Sequence, residues 1–125
     1  MKKLWKPRKQ KIIEAGLHAG TIVKVERRCE PFDYTDIFVQ IENSELIVKW
    51  DAPSDISYKE NDEPSTKLAK FLHDLGITVQ MDKDIDLEEL LIGKKLNFMT
   101  KNETNAKGVF AKIVDGTIVP LQGQK

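Results

Sequence analysis

Residues 36–42 read DIFVQIE, and this stretch decides the fold class of the chain. Ile37, Val39 and Ile41 alternate with residues of other types, which is the pattern of a β-strand with one buried face. The opposite face carries two acids and an amide, and Phe38 stands among them. Because burying a phenylalanine contributes roughly 1.5–3 kcal/mol, an outward Phe38 is either covered by another part of the fold or contacts a partner.

Further strands precede and follow this one. Residues 16–30 alternate Val23 and Val25 with charged residues, as on a half-buried strand, and Gly16 and Gly20 predict that this first strand curves or bulges. The residues PFD break the first strand before the second begins, and NSE forms a tight turn to a third strand, LIVKW. Three strands joined by short turns predict a meander.

A polar segment and two short helices follow the third strand. Residues 51–64 form a proline-bounded acidic loop, Ser65 caps a helix that runs to Leu75, and Gly76 ends this helix. Asp86 caps a second, shorter helix. The sequence then predicts a fourth strand in KKLNFMTK, a turn-rich connection in NETNAKG and a fifth strand in VFAKIV, with IVPL as an extension.

The order of three strands, a helix and two strands predicts an all-β fold. We expect a five-stranded Greek-key β-barrel, the OB-fold, with a helix between strands 3 and 4. Residues 16–120 resemble the OB-fold single-stranded DNA-binding proteins of phages and archaea. The resemblance is carried by the GLHAGTI opening, the leucine-rich helix, the DLEELLIGKKL segment and the GVFAKIV and IVP segments at the end. It implies a single-stranded DNA partner.

Length and composition fit one globular domain. The chain has 125 residues, of which 40% are hydrophobic and 32% are charged, as in ordinary soluble proteins. No apolar run approaches the ~18 residues of a membrane span, and the basic N-terminus lacks the apolar segment of a secretory signal. Cys29 is the only cysteine, which excludes an internal disulfide. We therefore expect a cytoplasmic protein with no membrane contact.

Patterns of catalytic and metal-binding residues are missing from the sequence. His18 and His73 are the only histidines, and neither has the spacing of a nucleophilic or metal site. Residues 82–93 begin like a calcium loop but carry Leu87 and Gly93 where such a loop has glycine and glutamate. We predict no enzymatic activity, no catalytic residue, no metal and no cofactor.

The net charge of zero hides separate basic and acidic blocks. Six bases and no acid fall within residues 1–13, ten acids and two bases within residues 30–66, and five lysines and one acid within residues 94–112. Residues 1–13 are predicted to be a flexible basic arm, and residues 14–125 the OB-fold domain. Such blocks suit a polyanionic partner, although solvated charged faces have the same pattern.

The outward faces of the strands combine aromatic and basic side chains. Rings on a sheet stack against bases and nearby lysines hold phosphates, which is what binding to single strands without sequence preference requires. The predicted nucleic-acid-binding residues are Tyr34, Phe38, Lys49, Lys95, Lys101, Phe110 and Lys112 on the sheet, and Lys6, Arg8 and Lys9 in the arm. Because Asp36 and Glu42 flank Phe38, we place the path of the nucleic acid toward the third to fifth strands.

These features predict a protein that binds single-stranded DNA with little sequence preference and works with replication or recombination proteins. Two alternatives stay open. The first is an OB-fold subunit that docks a replication protein through its acidic loop. The second is an RNA-binding domain, since stacking does not distinguish the two sugars. Affinity for oligonucleotides at low salt distinguishes the first alternative from a protein that binds single strands, because a docking subunit would show no such affinity. The sequence leaves the oligomeric state open.

Overall fold

The computed structural model describes residues 3–7 and 13–121 of the chain, so the predicted site residues Arg8 and Lys9 lie outside the described residues. The elements in chain order are β1 (Gly16–Arg28), β2 (Tyr34–Ile41), β3 (Ile47–Pro53), α1 (Lys67–Asp74), α2 (Leu87–Leu91), β4 (Lys95–Asn105), β5 (Gly108–Ile113) and β6 (Val119–Pro120). The predicted all-β class is confirmed, with helices between the third and fourth strands. The described strands number six rather than five, because part of the IVPL segment pairs with β4 as β6.

The strands form one antiparallel sheet in the order β3–β2–β1–β4–β5, and β6 is added beside β4. β1 is the shared strand, since residues 20–28 pair with β2 and residues 16–21 pair with β4. β3 and β5 are the two ends of this order, and they approach each other with Cα atoms within 8 Å. No ladder joins these two described strands, so the sheet curls without being closed by hydrogen bonds.

Gly20 lies where β1 pairs with both of its neighbours, opposite Ile41 of β2 and Leu96 of β4. A Cβ at this position would lie 2.6 Å from the carbonyl oxygen of Gln40 and 2.7 Å from Cγ1 of Val39. Both distances are shorter than van der Waals contact, so only glycine lets β1 come this close to β2.

A β-bulge at Val23 decides which side chains of β1 face the core. The pairing register with β2 shifts between Ile22 and Lys24, so Val23 is the extra residue. Ile22 is fully buried before the bulge, and Val25 packs against the core after it. The prediction that Val23 lies on the buried face is wrong, because the bulge turns this side chain outward and leaves it 37% exposed.

The core lies between the inner face of the sheet and the two helices. Trp50 packs its ring against Phe71 of α1 with a centroid distance of 4.3 Å, and its indole nitrogen donates a hydrogen bond to Asp115 Oδ1 at 3.2 Å. The inward residues predicted from alternation on β2 and β4 are found in this core. Its buried members from the strands include Ile37, Val39, Val48, Leu96, Phe98 and Ile113, and those from the helices include Leu68, Leu72 and Leu91.

Helix α1 begins one residue later than predicted. Thr66, not Ser65, is the N-cap, because its hydroxyl accepts hydrogen bonds from the amides of Ala69 and Ser57 and so closes the preceding loop as well as the helix. Asp86 caps α2 as predicted, with its carboxylate accepting an amide hydrogen bond from the first turn. Neither of these helices, in the part of the chain that is described, is long and apolar enough to cross a membrane.

Strand β4 continues through most of the segment predicted to be a turn. It reaches Asn105, and β5 begins at Gly108, so only Ala106 and Lys107 form the connection. The side-chain oxygen of Asn105 accepts a hydrogen bond from the amide of Lys107 at 2.7 Å. A two-residue connection is the commonest hairpin, and its position could not be read from a segment rich in turn-forming residues throughout.

We expect Gly20→Ala to lower the free energy of unfolding by about 1–3 kcal/mol, because the added methyl group would collide with the backbone of Gln40. Urea unfolding followed by the fluorescence of buried Trp50 measures this change. Asn102→Ala, on the exposed part of β4, is the matched control and should change stability by less than about 0.5 kcal/mol. Equal stability of Gly20→Ala and the unaltered chain would contradict the close approach of β1 to β2.

Candidate nucleic-acid interface

Phe38 lies between two lysines on the outer face of the sheet. It pairs with Lys24 of β1 on one side and with Lys49 of β3 on the other. The ammonium of Lys24 lies 5.4 Å from the centroid of the Phe38 ring, which is within the range of a cation–π contact. Phe38 itself is half-buried. We name these three residues the lysine–phenylalanine row. Lys24 is therefore part of the cover that the sequence requires for an outward Phe38.

The neighbouring row on the same face is acidic. Asp36 pairs with Glu26 of β1 and with Asp51 of β3, and these three residues are named the acidic row. Asp36 is only 2% exposed, and its carboxylate accepts hydrogen bonds from Arg28 Nε at 2.6 Å and Arg28 Nη2 at 3.0 Å. This hydrogen bonding raises the pKa of Arg28. The guanidinium also lies 5.4 Å from the ring of Tyr34, so this predicted binding residue sits beyond the acidic row and beside a cation already paired with Asp36.

The facing edges of β3 and β5 form a cleft, named here the seam. Two cavities of about 260 and 370 Å³ open along it, and Lys49, Phe110 and Ala111 line both of them. Phe110 is 45% exposed, and the indole of Trp50 lines the smaller cavity. Because Lys49 also pairs with Phe38, it connects the seam to the lysine–phenylalanine row.

Two further predicted lysines stand beside the seam on the β4–β5 hairpin. Lys101 and Lys112 pair across the hairpin, and Glu103 lies 3.6 Å from the ammonium of Lys101 and 3.7 Å from that of Lys112. Glu103 is itself opposite Phe110. All three charged side chains are more than half exposed, so these ion pairs contribute at most about 1 kcal/mol each. A phosphate can replace the carboxylate at little cost.

The remaining predicted residues are not part of this cluster. Lys95 pairs with Thr21 and lies six residues, about 20 Å, before Lys101 along β4. Alternation identifies its outward face correctly but gives no information on its distance from Phe110. Lys6 is exposed in the described segment 3–7. The structure thus brings together Phe38, Lys49, Lys101, Phe110 and Lys112, and it places Tyr34 and Lys95 elsewhere on the surface.

Two cations beside the cluster were not among the predicted site residues. Alternation marks Lys24 as outward, but its position over Phe38 depends on the register set by the bulge. Lys67, the first residue of α1, lines the smaller seam cavity with its ammonium 5.0 Å from the ring of Trp50. The same ammonium donates a hydrogen bond to the carbonyl oxygen of Asp51 at 2.8 Å. No sequence signal marks Lys67, because its position depends on how α1 packs against β3.

The N-terminal segment meets the domain at the seam. Ile13 is half-buried and lines the larger seam cavity together with Phe110. The next residue, Glu14, is held through its carbonyl oxygen, which accepts a hydrogen bond from the hydroxyl of Thr100 at 3.1 Å. Ile13, the first described residue of the continuous part of the chain, therefore lies beside the aromatic ring and lysines of the seam.

The cluster offers rings for stacking and ammonium groups for anions. Within residues 3–7 and 13–121, no group of three or more His, Cys, Asp or Glu side chains is placed to hold a metal ion. The function is therefore inferred from the geometry of the seam and the lysine–phenylalanine row. Comparison of the sequence with protein-family models gives no match, and neither does comparison with curated proteins.

Proposed function

We propose that this protein binds single-stranded DNA with little sequence preference, through the seam and the lysine–phenylalanine row. One observation carries the proposal: the exposed ring of Phe110 stands in a cleft with Lys49 on one wall and Lys112 beside it on the other. Bases of any type stack on such a ring, while ammonium groups hold the phosphates that connect them. Replication and recombination are the processes that expose single strands, and we assign the protein to one of them.

The strand order supports an OB-fold as the scaffold of this function. The order β3–β2–β1–β4–β5, with β3 facing β5 and helices between β3 and β4, suits a five-stranded Greek-key barrel that stays partly open. In that fold oligonucleotides bind to the face of the second and third strands, to the loop between the first and second strands and to the loop between the fourth and fifth strands. The lysine–phenylalanine row lies on that face, and the hairpin that carries Phe110 contains the last of these loops.

The charges of the outer face define the path of the strand. The acidic row repels phosphates and bounds the path on the side of Tyr34. Two carboxylates of the acidic row form exposed ion pairs with the lysine–phenylalanine row, Glu26 with Lys24 and Asp51 with Lys49, so a phosphate on the lysine side competes with each carboxylate. The path therefore runs from the lysine–phenylalanine row into the seam.

The two rings have unequal roles on this path. Phe110 is open to a base, whereas a base that stacks on Phe38 displaces the ammonium of Lys24 from the ring. Stacking energy is therefore larger at Phe110. At Phe38 the displaced lysine becomes available to a phosphate, so the row contributes more through charge than through stacking.

An interaction module that acts through the acidic loop is the alternative from another class. That loop is ordered by a β-bridge between Tyr58 and Pro64, and it exposes Glu60, Asp62 and Glu63. A docking subunit would not bind oligonucleotides at low salt, whereas the proposed function requires micromolar or tighter binding. Parallel titrations with dT and rU oligomers distinguish a DNA-binding protein from an RNA-binding one.

Phe110→Ala is expected to weaken binding of dT oligomers by ~5- to 150-fold, because stacking of a base on an aromatic ring is worth about 1–3 kcal/mol. Fluorescence titration through Trp50, whose indole lines the seam, measures the affinity. Met81→Ala is the control. Met81 is 49% exposed between α1 and α2 and lines neither cavity of the seam, so its loss should leave the affinity unchanged. Equal effects of the two substitutions would exclude the seam as the binding site.

Deleting residues 2–11 is expected to reduce the salt dependence of binding. The slope of log affinity against log salt is about −0.7 per phosphate neutralised on a single strand, so loss of around three contacts flattens it by roughly 2 units. Affinity at high salt should change much less, because stacking on Phe110 is retained. A full-length chain with glutamine at the six basic positions of this segment should flatten the slope equally. An unchanged slope would favour the interaction module.

A further inference from the structure

A third cavity opens at the end of the sheet remote from Ile13. It has a volume of about 520 Å³, and we name it the end groove. Its apolar lining consists of side chains that also pack against the core and remain partly buried: Val25, Ile56, Ile85 and Leu87. An apolar floor of this size can accept the large side chains of a short segment.

The rim of the end groove is acidic. Asp86 and Glu88 line it, and both are exposed. Arg27 also lines the groove, but its Nε and Nη2 donate hydrogen bonds to Asp33 at 2.8 and 2.6 Å. This pairing holds the pKa of Asp33 at about 2, so both partners stay charged at neutral pH and neutralise each other. The groove therefore suits a ligand that is apolar at its centre and positively charged at its ends.

Residues 3–6, with the sequence KLWK, have this complementary character. Leu4 is 89% exposed and Trp5 is 88% exposed, so neither side chain occupies the end groove of its own chain. Lys3 and Lys6 flank them. Two adjacent large apolar side chains left in solvent are typical of a segment that docks on another surface.

The reach of the arm favours the groove of a second copy. The arm joins the domain at Ile13, so Trp5 lies at most about 28 Å from that point when the chain is fully extended. Ser54 lines the end groove and directly follows β3, whereas Ile47, at the start of β3, lines the larger seam cavity. These two residues are seven positions apart, which is about 23 Å along an extended strand. Docking within one chain would need an almost fully stretched arm around the domain. A neighbouring copy imposes no such requirement.

We propose that Leu4 and Trp5 of one copy dock in the end groove of a second copy, with the flanking lysines against Asp86 and Glu88. The contact joins two different surfaces, so it links copies head to tail unless two copies exchange their arms reciprocally. The contact does not require nucleic acid, so its test is separate from that of the function proposed above. A single docked segment binds weakly. Its occupancy on a strand rests on the proposed function, because copies bound side by side on one strand would reach effective concentrations of about millimolar.

Sedimentation equilibrium of the full chain without nucleic acid tests the contact at concentrations up to about millimolar. We expect association that rises with concentration and falls with added salt. Trp5→Ala should weaken it at least ~10-fold, since this side chain supplies most of the apolar area. Emission of Trp5 should shift to shorter wavelength as the copies associate. A chain that stays monomeric, or a Trp5→Ala variant that associates equally well, would overturn the proposal.

A charge exchange identifies the surface that receives the arm. Glu88→Lys should weaken association, and combining it with Lys6→Glu should restore part of the loss. Glu60→Lys, a matched reversal on the exposed acidic loop, should leave association unchanged. Failure of the double variant to recover, or equal weakening by Glu60→Lys, would overturn the assignment to the end groove. A short-wavelength Trp5 emission that does not depend on concentration would place the segment in its own chain and would also overturn it.

Discussion

The pairing of β1 with two neighbours at once is the constraint on which the rest of the structure depends. Gly20 allows the contact with β2 at the point where β4 pairs on the other side. Once β1 bridges the two halves of the sheet, its curl brings the edges of β3 and β5 face to face, and the seam exists only because of this approach. The bulge at Val23 then sets Lys24 against Phe38. One strand therefore determines both the cleft and the row beside it.

The cations of the candidate site are held among carboxylates rather than on a bare positive surface. Lys24 pairs with Glu26, Lys49 pairs with Asp51, and Glu103 lies between the two lysines of the β4–β5 hairpin. This arrangement is compatible with both the zero net charge of the chain and the proposed path for a polyanion. Exposed ion pairs are weak, so they position the ammonium groups without preventing exchange with a phosphate. The carboxylate of Asp36, by contrast, is buried and accepts two hydrogen bonds from Arg28, so it marks the boundary of the proposed path.

Local patterns predicted the elements, and non-local contacts determined what the patterns left open. Alternation identified the inward residues of β2 and β4 but not of β1, where the bulge turns Val23 outward. Asp86 was recognised as a cap because capping depends on neighbours in sequence. The choice of Thr66 over Ser65 depends on an amide from the preceding loop, and the position of the hairpin turn depends on strand pairing. For the candidate site, the outward faces of Phe110 and its lysines could be predicted. The distance of Lys95 from Phe110 and the position of Lys67 at the seam could not be predicted, because both depend on the tertiary arrangement.

An NMR titration of the full chain with a dT oligomer at low salt tests the central claim most directly. Backbone amide shifts report where the strand lies without altering any residue. We expect the largest changes at Lys49, Phe110 and Lys112 along the seam, smaller changes at Phe38, and none in the acidic loop around Asp62. Changes confined to that loop or to the acidic row, or no changes at low salt, would contradict a nucleic-acid path through the seam.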